Sequence, residues 1–147
     1  MKYREAVVQD AVGIENLLEK CNLPVNDIME NIDNFIVSEL ENKIVGVGGY
    51  ETHGEIVLIR SIAVDQACRG KSIGVNIYHL LESKIKHIGI KEVYLLTETA
   101  TDYFKTLGFT IKERTSIPKV VTQTKQFKEI CPSTAIVMFN EIAINNV

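Results

Sequence analysis

Two rhythms of apolar and polar positions alternate along this chain. Short runs rich in β-branched and aromatic residues occupy 2–6, Phe35–Leu40, 44–50, Ile56–Val64, 91–97, 109–113 and 134–139, and each predicts a strand. Between them, apolar residues recur every three to four positions. Ile14, Leu17, Leu18 and Cys21 predict a helix that Asp10 can cap. Ile73, Ile77, Leu80, Leu81, Ile85 and Ile88 predict a longer helix with one apolar face, ended by Gly89. A short helix is expected over 101–107, with Gly108 as its stop, one helical turn over 26–31, and a last helix over 122–130 before Cys131-Pro132. Breaks fall at 22–24, 41–43, 52–54 and 116–118.

The order of these elements predicts a mixed α/β fold. Three strands from 35 to 64 form an antiparallel meander. The helix after residue 72 then crosses over, right-handed, to a strand parallel to Ile56–Val64. Gly46, Gly48 and Gly49 within one strand point to a bulge or to a close backbone approach.

Composition narrows this picture. A chain of 147 residues with 46% apolar content suits one domain with a substantial core. A net charge of −3 argues against a general nucleic-acid binder. No apolar run is long enough to span a bilayer, and residues 1–5 do not open a signal peptide. Cys21, Cys68 and Cys131 are far apart and form no Cys-x-x-Cys pair, so free thiols, a cytoplasmic location and no metal centre are expected.

The stretch over 55–77 carries the chemistry. The apolar strand Ile56–Val64 runs into a basic turn, Arg69-Gly70-Lys71-Ser72-Ile73-Gly74, and the turn runs into a helix. Backbone N–H groups and the positive end of a helix dipole converge in such a turn, which suits a phosphate or diphosphate. The spacing fits neither a Walker loop nor a dinucleotide fingerprint. Alone, the turn reads first as an ordinary solvated strand–helix connection.

A second block changes that balance. Ile62-Ala-Val-Asp-Gln-Ala-Cys-Arg-Gly-Lys-Ser-Ile-Gly74 resembles motif A of the GNAT superfamily of acyl-CoA-dependent N-acyltransferases. Tyr94-Leu-Leu-Thr-Glu-Thr-Ala-Thr-Asp-Tyr-Phe-Lys-Thr-Leu-Gly-Phe109 resembles its motif B. Together with Ile117-Pro118 and the segment Gln126-Phe-Lys-Glu-Ile-Cys-Pro-Ser-Thr-Ala135, the chain is similar to the arsenic-resistance N-acetyltransferases. The motif B block also resembles the acetyltransferase domain of N-acetylglutamate synthase.

The resemblance implies a mostly antiparallel twisted sheet flanked by helices, with a central parallel strand pair splayed for CoA. It implies one such domain over 1–147 and acetyl-CoA as co-substrate. Arg69, Gly70, Lys71, Ser72, Ile73 and Gly74 would wrap the CoA diphosphate. Ser72 stands where the pattern has glycine, and the anion site survives there if its φ is negative. The backbone of Ile62, Ala63 and Val64 would bond the pantetheine arm like an added strand. Thr99 and Thr97 follow the parallel strand and could bond the arm or the acceptor.

Catalytic candidates are less marked. The pattern's tyrosine acid falls at Phe104, which cannot donate; Tyr103 beside it is the alternative, against a plain packed aromatic. Glu51, His53 and Glu98 near strand ends are the candidate bases, against a water relay; of these we favour Glu51. Arg60 is the sole charge in its strand, with Ser61 facing the other way. It pairs with a carboxylate such as Glu5 or Glu51, or it offers a fork to a substrate oxyanion. A lone Cys131 reads as a small buried hydrophobe before it reads as an arsenic ligand.

Three functions stay open at this stage. The first is acetyl transfer to the amine of a small molecule, such as an amino acid or an organoarsenical amino acid. The others are N-acetylglutamate formation and a non-catalytic acyl-CoA sensor. No nucleic acid or membrane partner is expected, and a homodimer is compatible with the chain.

Overall fold

A computed structural model describes residues 1–124, 127–128 and 135–142. In chain order the elements are β1 (Lys2–Glu5), α1 (Ala11–Lys20), β2 (Phe35–Leu40), β3 (Lys43–His53), β4 (Ile56–Val64), α2 (Ile73–His87), β5 (Glu92–Thr97), α3 (Thr101–Thr106), β6 (Thr110–Lys112), α4 (Lys119–Thr122) and β7 (Ile136–Glu141). Short 3-10 turns lie at Val8–Asp10, Met29–Asn34, Gln66–Cys68 and Arg114–Ser116. Among the described residues, seven strands form one sheet in the order β1-β2-β3-β4-β5-β7-β6. β1 with β2, β2 with β3, β5 with β7 and β6 with β7 are antiparallel. β4 and β5 are the expected parallel pair, in register from Ile56↔Glu92 to Leu58↔Tyr94.

The chain gathers into two compact units, Met1–Glu51 with Arg60–Lys84, and Thr52–Ile59 with Ile85–Val147. In the first, α1 lays Ile14, Leu17 and Leu18 on Phe35, Val37, Val47 and Ala63. In the second, Ile56, Leu58, Tyr94, Ile117, Val121 and Val137 share a core.

The β3 glycines explain how α2 is seated. A Cβ on Gly46 would meet Ile73 at 2.7 Å and Ile77 at 2.9 Å, and would strike the Ser38 hydroxyl. One on Gly48 would meet Ile77 at 2.7 Å. The helix therefore rests directly on bare backbone. Both sequence readings of these glycines hold, because the β2–β3 register also shifts here: Ser38 faces Gly46 while Glu39 faces Ile44, leaving Val45 as a bulge. The hairpin turns on Glu41 and Asn42, both at positive φ (52° and 64°), which suits the twist of the two strands.

Several expectations need correction. The buried stripe of α2 is Ile73, Ile77, Tyr78, Leu81 and Ile85; Leu80 and Ile88 are 38% and 48% exposed. Tyr78 belongs to that stripe although the apolar spacing did not include it. Gly89 does end α2, at φ +83, with Gly89 N–H on the Lys86 carbonyl and Ile90 N–H on that of Ile85. β3 continues through His53, and its turn to β4 comes at Gly54, φ +65. The helical turn expected over 26–31 is the 3-10 segment Met29–Asn34. The last helix starts earlier, as Lys119–Thr122 behind Pro118. Within its expected span, 125–126 and 129–130 lie outside the described residues, as do Cys131, Pro132 and Ser133 beyond it.

Asp10 stands at the N-cap position of α1 without capping it. Its carboxylate accepts the Val7 N–H at 2.7 Å and two N–H groups of Arg4 at 2.7 and 2.8 Å. The Arg4 hydrogen bonds, helped by Val7, hold Asp10 below the ordinary carboxylate range.

Two outcomes follow for stability. Gly46→Ala should cost about 1–3 kcal/mol through forced overpacking, read from urea unfolding. Asp10→Asn should cost about 1–3 kcal/mol at pH 7. Because the folded-state pKa is depressed, this contribution is present above about pH 4 and is lost as pH falls through the lower folded value. Urea melts of wild type and variant should therefore converge in strong acid.

Candidate active site

Between β4 and α2 the chain makes a compact basic turn. Asp65 N–H bonds the carbonyl of Val45 at the bulge (2.8 Å), and its carboxylate accepts the Ala67 N–H (3.0 Å). The turn's acidic group is thus directed into the loop. Gly70 at φ +84 reverses the backbone, and Ser72 at φ +59 aims it into α2. The first helical bond runs from Asn76 N–H to the Ser72 carbonyl (3.0 Å). The N–H groups ahead of Asn76 have no partner within the helix, and no acidic side chain stands in the first turn. Arg69 and Lys71 are exposed. Arg69 folds back, with its Nε–H 3.3 Å from the Val64 carbonyl and an Nη 4.0 Å from Cys21 Sγ.

Ser72 fails the condition set for it. Its φ is positive, not negative, so it holds the glycine conformation with a Cβ attached. An L-residue pays about 1–2 kcal/mol for that. The backbone path is the one a glycine would take.

β4 bends at Ser61, also left-handed, at φ +58. Strict alternation would put Ser61 and Arg60 on opposite faces, but Arg60 Nε–H donates to Ser61 Oγ at 3.1 Å. The bend overrides the pleat and turns both side chains to one side. The Arg60 side chain is 2% exposed. Its Nη1 pairs with Glu51 at 3.2 Å, an Nη2–H donates to the Asn26 carbonyl at 2.6 Å, and the guanidinium lies 5.8 Å from the centre of the Phe35 ring. Burial lowers its pKa, opposed by Glu51 and Asp27. Of the two carboxylates expected for it, Glu51 is the partner, while Glu5 pairs with Lys84 at 2.8 Å. The base role expected of Glu51 competes with its ion pair.

In the second unit, Thr97 Oγ1 accepts the Ala100 N–H at 3.0 Å and shapes the turn into α3. Thr99 is exposed. Tyr103 is 37% exposed and sits edge-on to Phe104; burial raises its pKa, so its hydroxyl keeps its proton. Phe104 packs inward, edge-on to Phe109. Gly108 closes α3 at φ +98.

The model of the acetyltransferase (GNAT) family matches residues 11–109. The chain belongs to the GNAT family. It is 26% identical over 126 residues to an uncharacterized N-acetyltransferase of Chlorobaculum tepidum, covering 80% of this chain and 81% of that protein. Among solved structures it is similar to Rv2747 of Mycobacterium tuberculosis, in complex with CoA and NLQ (TM-score 0.83, 22% identity, 97% of this chain and 100% of that one). It is also similar to N-acetylglutamate synthase of Neisseria gonorrhoeae, complexed with coenzyme A and N-acetyl-glutamate (TM-score 0.83, 18% identity, 97% of this chain and 35% of that one). At these identities the two structures establish a shared fold.

For a GNAT protein the turn has chemistry that suits a diphosphate: N–H donors, two cations, and an Asp65 carboxylate already engaged by the Ala67 N–H. Three contributors left no mark in the sequence reading: the Asn26 carbonyl, the Cys21 thiol at Val64 and the Ser61 bend. A backbone carbonyl has no residue signature. A serine at positive φ has none either, since serine is ordinary in strands and loops alike.

Ser72→Gly should stabilise the fold by about 0.5–1 kcal/mol, the relief of the left-handed serine less the added chain entropy. Thermal or urea unfolding measures it. CoA affinity should hold or rise.

Proposed function

We propose that this chain transfers the acetyl group of acetyl-CoA to the amine of a small molecule. The observation that carries the proposal is the turn of Arg69, Gly70, Lys71, Ser72, Ile73 and Gly74, wound by two positive φ values into the start of α2 at the end of β4. In this reading its N–H groups hold the diphosphate, as a helix start does. Arg69 and Lys71 add charge. The backbone of Ile62, Ala63 and Val64 pairs with the pantetheine arm, and Thr99 adds a hydroxyl. One domain over 1–147 holds both substrates.

The amine, once neutral, attacks the thioester carbon directly in a ternary complex. The intermediate collapses with loss of the CoA sulfur, which takes up a proton. Tyr103 is the donor we assign: its phenol carries a proton, and it stands beside Phe104, the position where the family pattern has tyrosine. Glu51, through a water, is the base. Thr97 borders the acceptor.

An amino-acid acceptor is favoured by the similar fold of N-acetylglutamate synthase, a protein solved with coenzyme A and N-acetyl-glutamate. Arg60 binds an acceptor carboxylate in this reading only by exchanging it for Glu51 or the Asn26 carbonyl, because its fork is turned onto both. The likeness to arsenic-resistance acetyltransferases, and an organoarsenical amino acid as acceptor, rests on 95–100, Gly108-Phe109, Ile117-Pro118 and 126–135; of the last, only Phe127, Lys128 and Ala135 are described residues. One observation supports the sensor reading: Phe104, a side chain without a proton to give, is buried where the family pattern has tyrosine.

Release of CoA thiol from acetyl-CoA across a panel of amino acids and other amines tests the proposal. Turnover with at least one amine is expected. Binding of CoA with no turnover on any amine would replace the enzyme reading by the sensor. Arg69→Glu should weaken CoA by about tenfold or more, a change of about 1.4 kcal/mol; unchanged affinity would overturn the turn's assignment.

A further inference from the structure

Six non-glycine residues hold positive φ among the described residues: Asn22, Asp27, Glu41, Asn42, Ser61 and Ser72. Five lie in turns or loops, and Ser61 alone interrupts a strand. An L-residue keeps that conformation where its surroundings over-determine it. Here the surroundings are the Arg60 guanidinium. Glu51 holds its Nη1 at 3.2 Å, and the Asn26 carbonyl holds its Nη2 at 2.6 Å. With that end of the planar group anchored, Nε–H is aimed at Ser61 Oγ, 3.1 Å away. In a regular strand the two side chains point to opposite faces and this bond cannot form. The bend makes the bond possible, and the bond holds the bend.

The geometry points to Arg60 as a positioning residue. Through Ser61 it maintains the left-handed bend of β4 and so presents the backbone that follows, Ile62, Ala63 and Val64, to the donor at the thioester end of its pantetheine arm. This rests on the reading of β4 as the acetyl-CoA strand. It also gives Glu51 and the Asn26 carbonyl a task beyond neutralising a buried charge: they fix the direction in which the guanidinium points.

Serine, alanine and glycine at position 61 separate the terms. Ser61→Ala removes Oγ but keeps the Cβ that disfavours positive φ. Ser61→Gly accepts the bend without the bond. Arg60→Gln removes the holder, and Arg60→Gln/Ser61→Gly removes the need for it. Two readouts apply to each folded protein: the φ of residue 61 from amide–Hα couplings and Cα shifts without ligand, and calorimetric affinities for acetyl-CoA and for CoA.

In Ser61→Ala and Arg60→Gln, residue 61 should leave the left-handed region. Acetyl-CoA affinity should then fall about tenfold while CoA affinity changes by less than about twofold. Ser61→Gly should match wild type in both, and the double variant should recover the preference for acetyl-CoA. An Arg60 that serves stability alone would leave the ratio of the two affinities unchanged, with no rescue by glycine. That result, or a left-handed Ser61 persisting in Arg60→Gln, overturns the assignment. Should Arg60→Gln not fold, the alanine and glycine variants at 61 decide it, since they leave the Glu51 and Asn26 bonds of Arg60 in place. Wild-type protein that binds neither CoA nor acetyl-CoA overturns the acetyl-CoA reading instead, and with it the ligand arm, while the coupling data still decide whether Arg60 holds the bend.

Discussion

The contact of α2 with the bare backbone of β3 sets the rest of the first unit in place. Ile73 and Ile77 lie where side chains at Gly46 and Gly48 would stand. A helix seated that closely has little room to slide or roll against the strand. Its N-terminus is consequently a fixed point, and a fixed point is what an anion cradle made of N–H groups requires. The Val45 bulge joins the same arrangement. It shifts the hairpin register beside Gly46 and supplies the carbonyl that receives the Asp65 N–H.

Strain and electrostatics concentrate where this rigid frame meets β4. Ser61 and Ser72 both hold left-handed backbone without being glycine. Arg60 is buried but spends its donors on Glu51, the Asn26 carbonyl and Ser61. A charge withdrawn from water survives when such bonds are made, and removing one of them is costly. The result is a strand bent at one defined residue, with the bend tied to β3 through Glu51 and to the segment before β2 through Asn26.

Much of this was legible beforehand, and the limits were physical. β2 and β4 were read to the residue because β-branched runs bounded by turn residues have one sensible interpretation. The parallel pair followed from a strand, a helix and a strand in sequence. The two motif blocks pointed to the family whose model matches residues 11–109. Leu80 and Ile88 were credited with burial on hydrophobicity alone; which side of α2 is covered depends on β3, far away in sequence. The helix over 26–31 was misplaced because Asn, Asp and Glu there suit turns of any kind. The order β5-β7-β6 is a matter of long-range pairing that local periodicity does not encode. At the site, Arg60 was marked by its lone charge, and its pairing with Glu51 was one of two options named in advance. The bend at Ser61 could not be foreseen, because strand alternation forbids the bond that accompanies it.

The bulge at Val45 has a consequence for how such a protein can vary. A strand whose register is reset by one extra residue carries a joint between its two halves. Insertions or deletions toward the Glu41–Asn42 tip of the hairpin alter the outer half and stop at the joint, so Gly46 and Gly48 keep facing α2. Loss of the bulged residue itself would remove the carbonyl that anchors Asp65 and flip one half of the strand relative to the other. Length variation is therefore cheap at the tip and prohibitive at position 45, and the hairpin can diverge in size among related chains while the basic turn after β4 stays where it is.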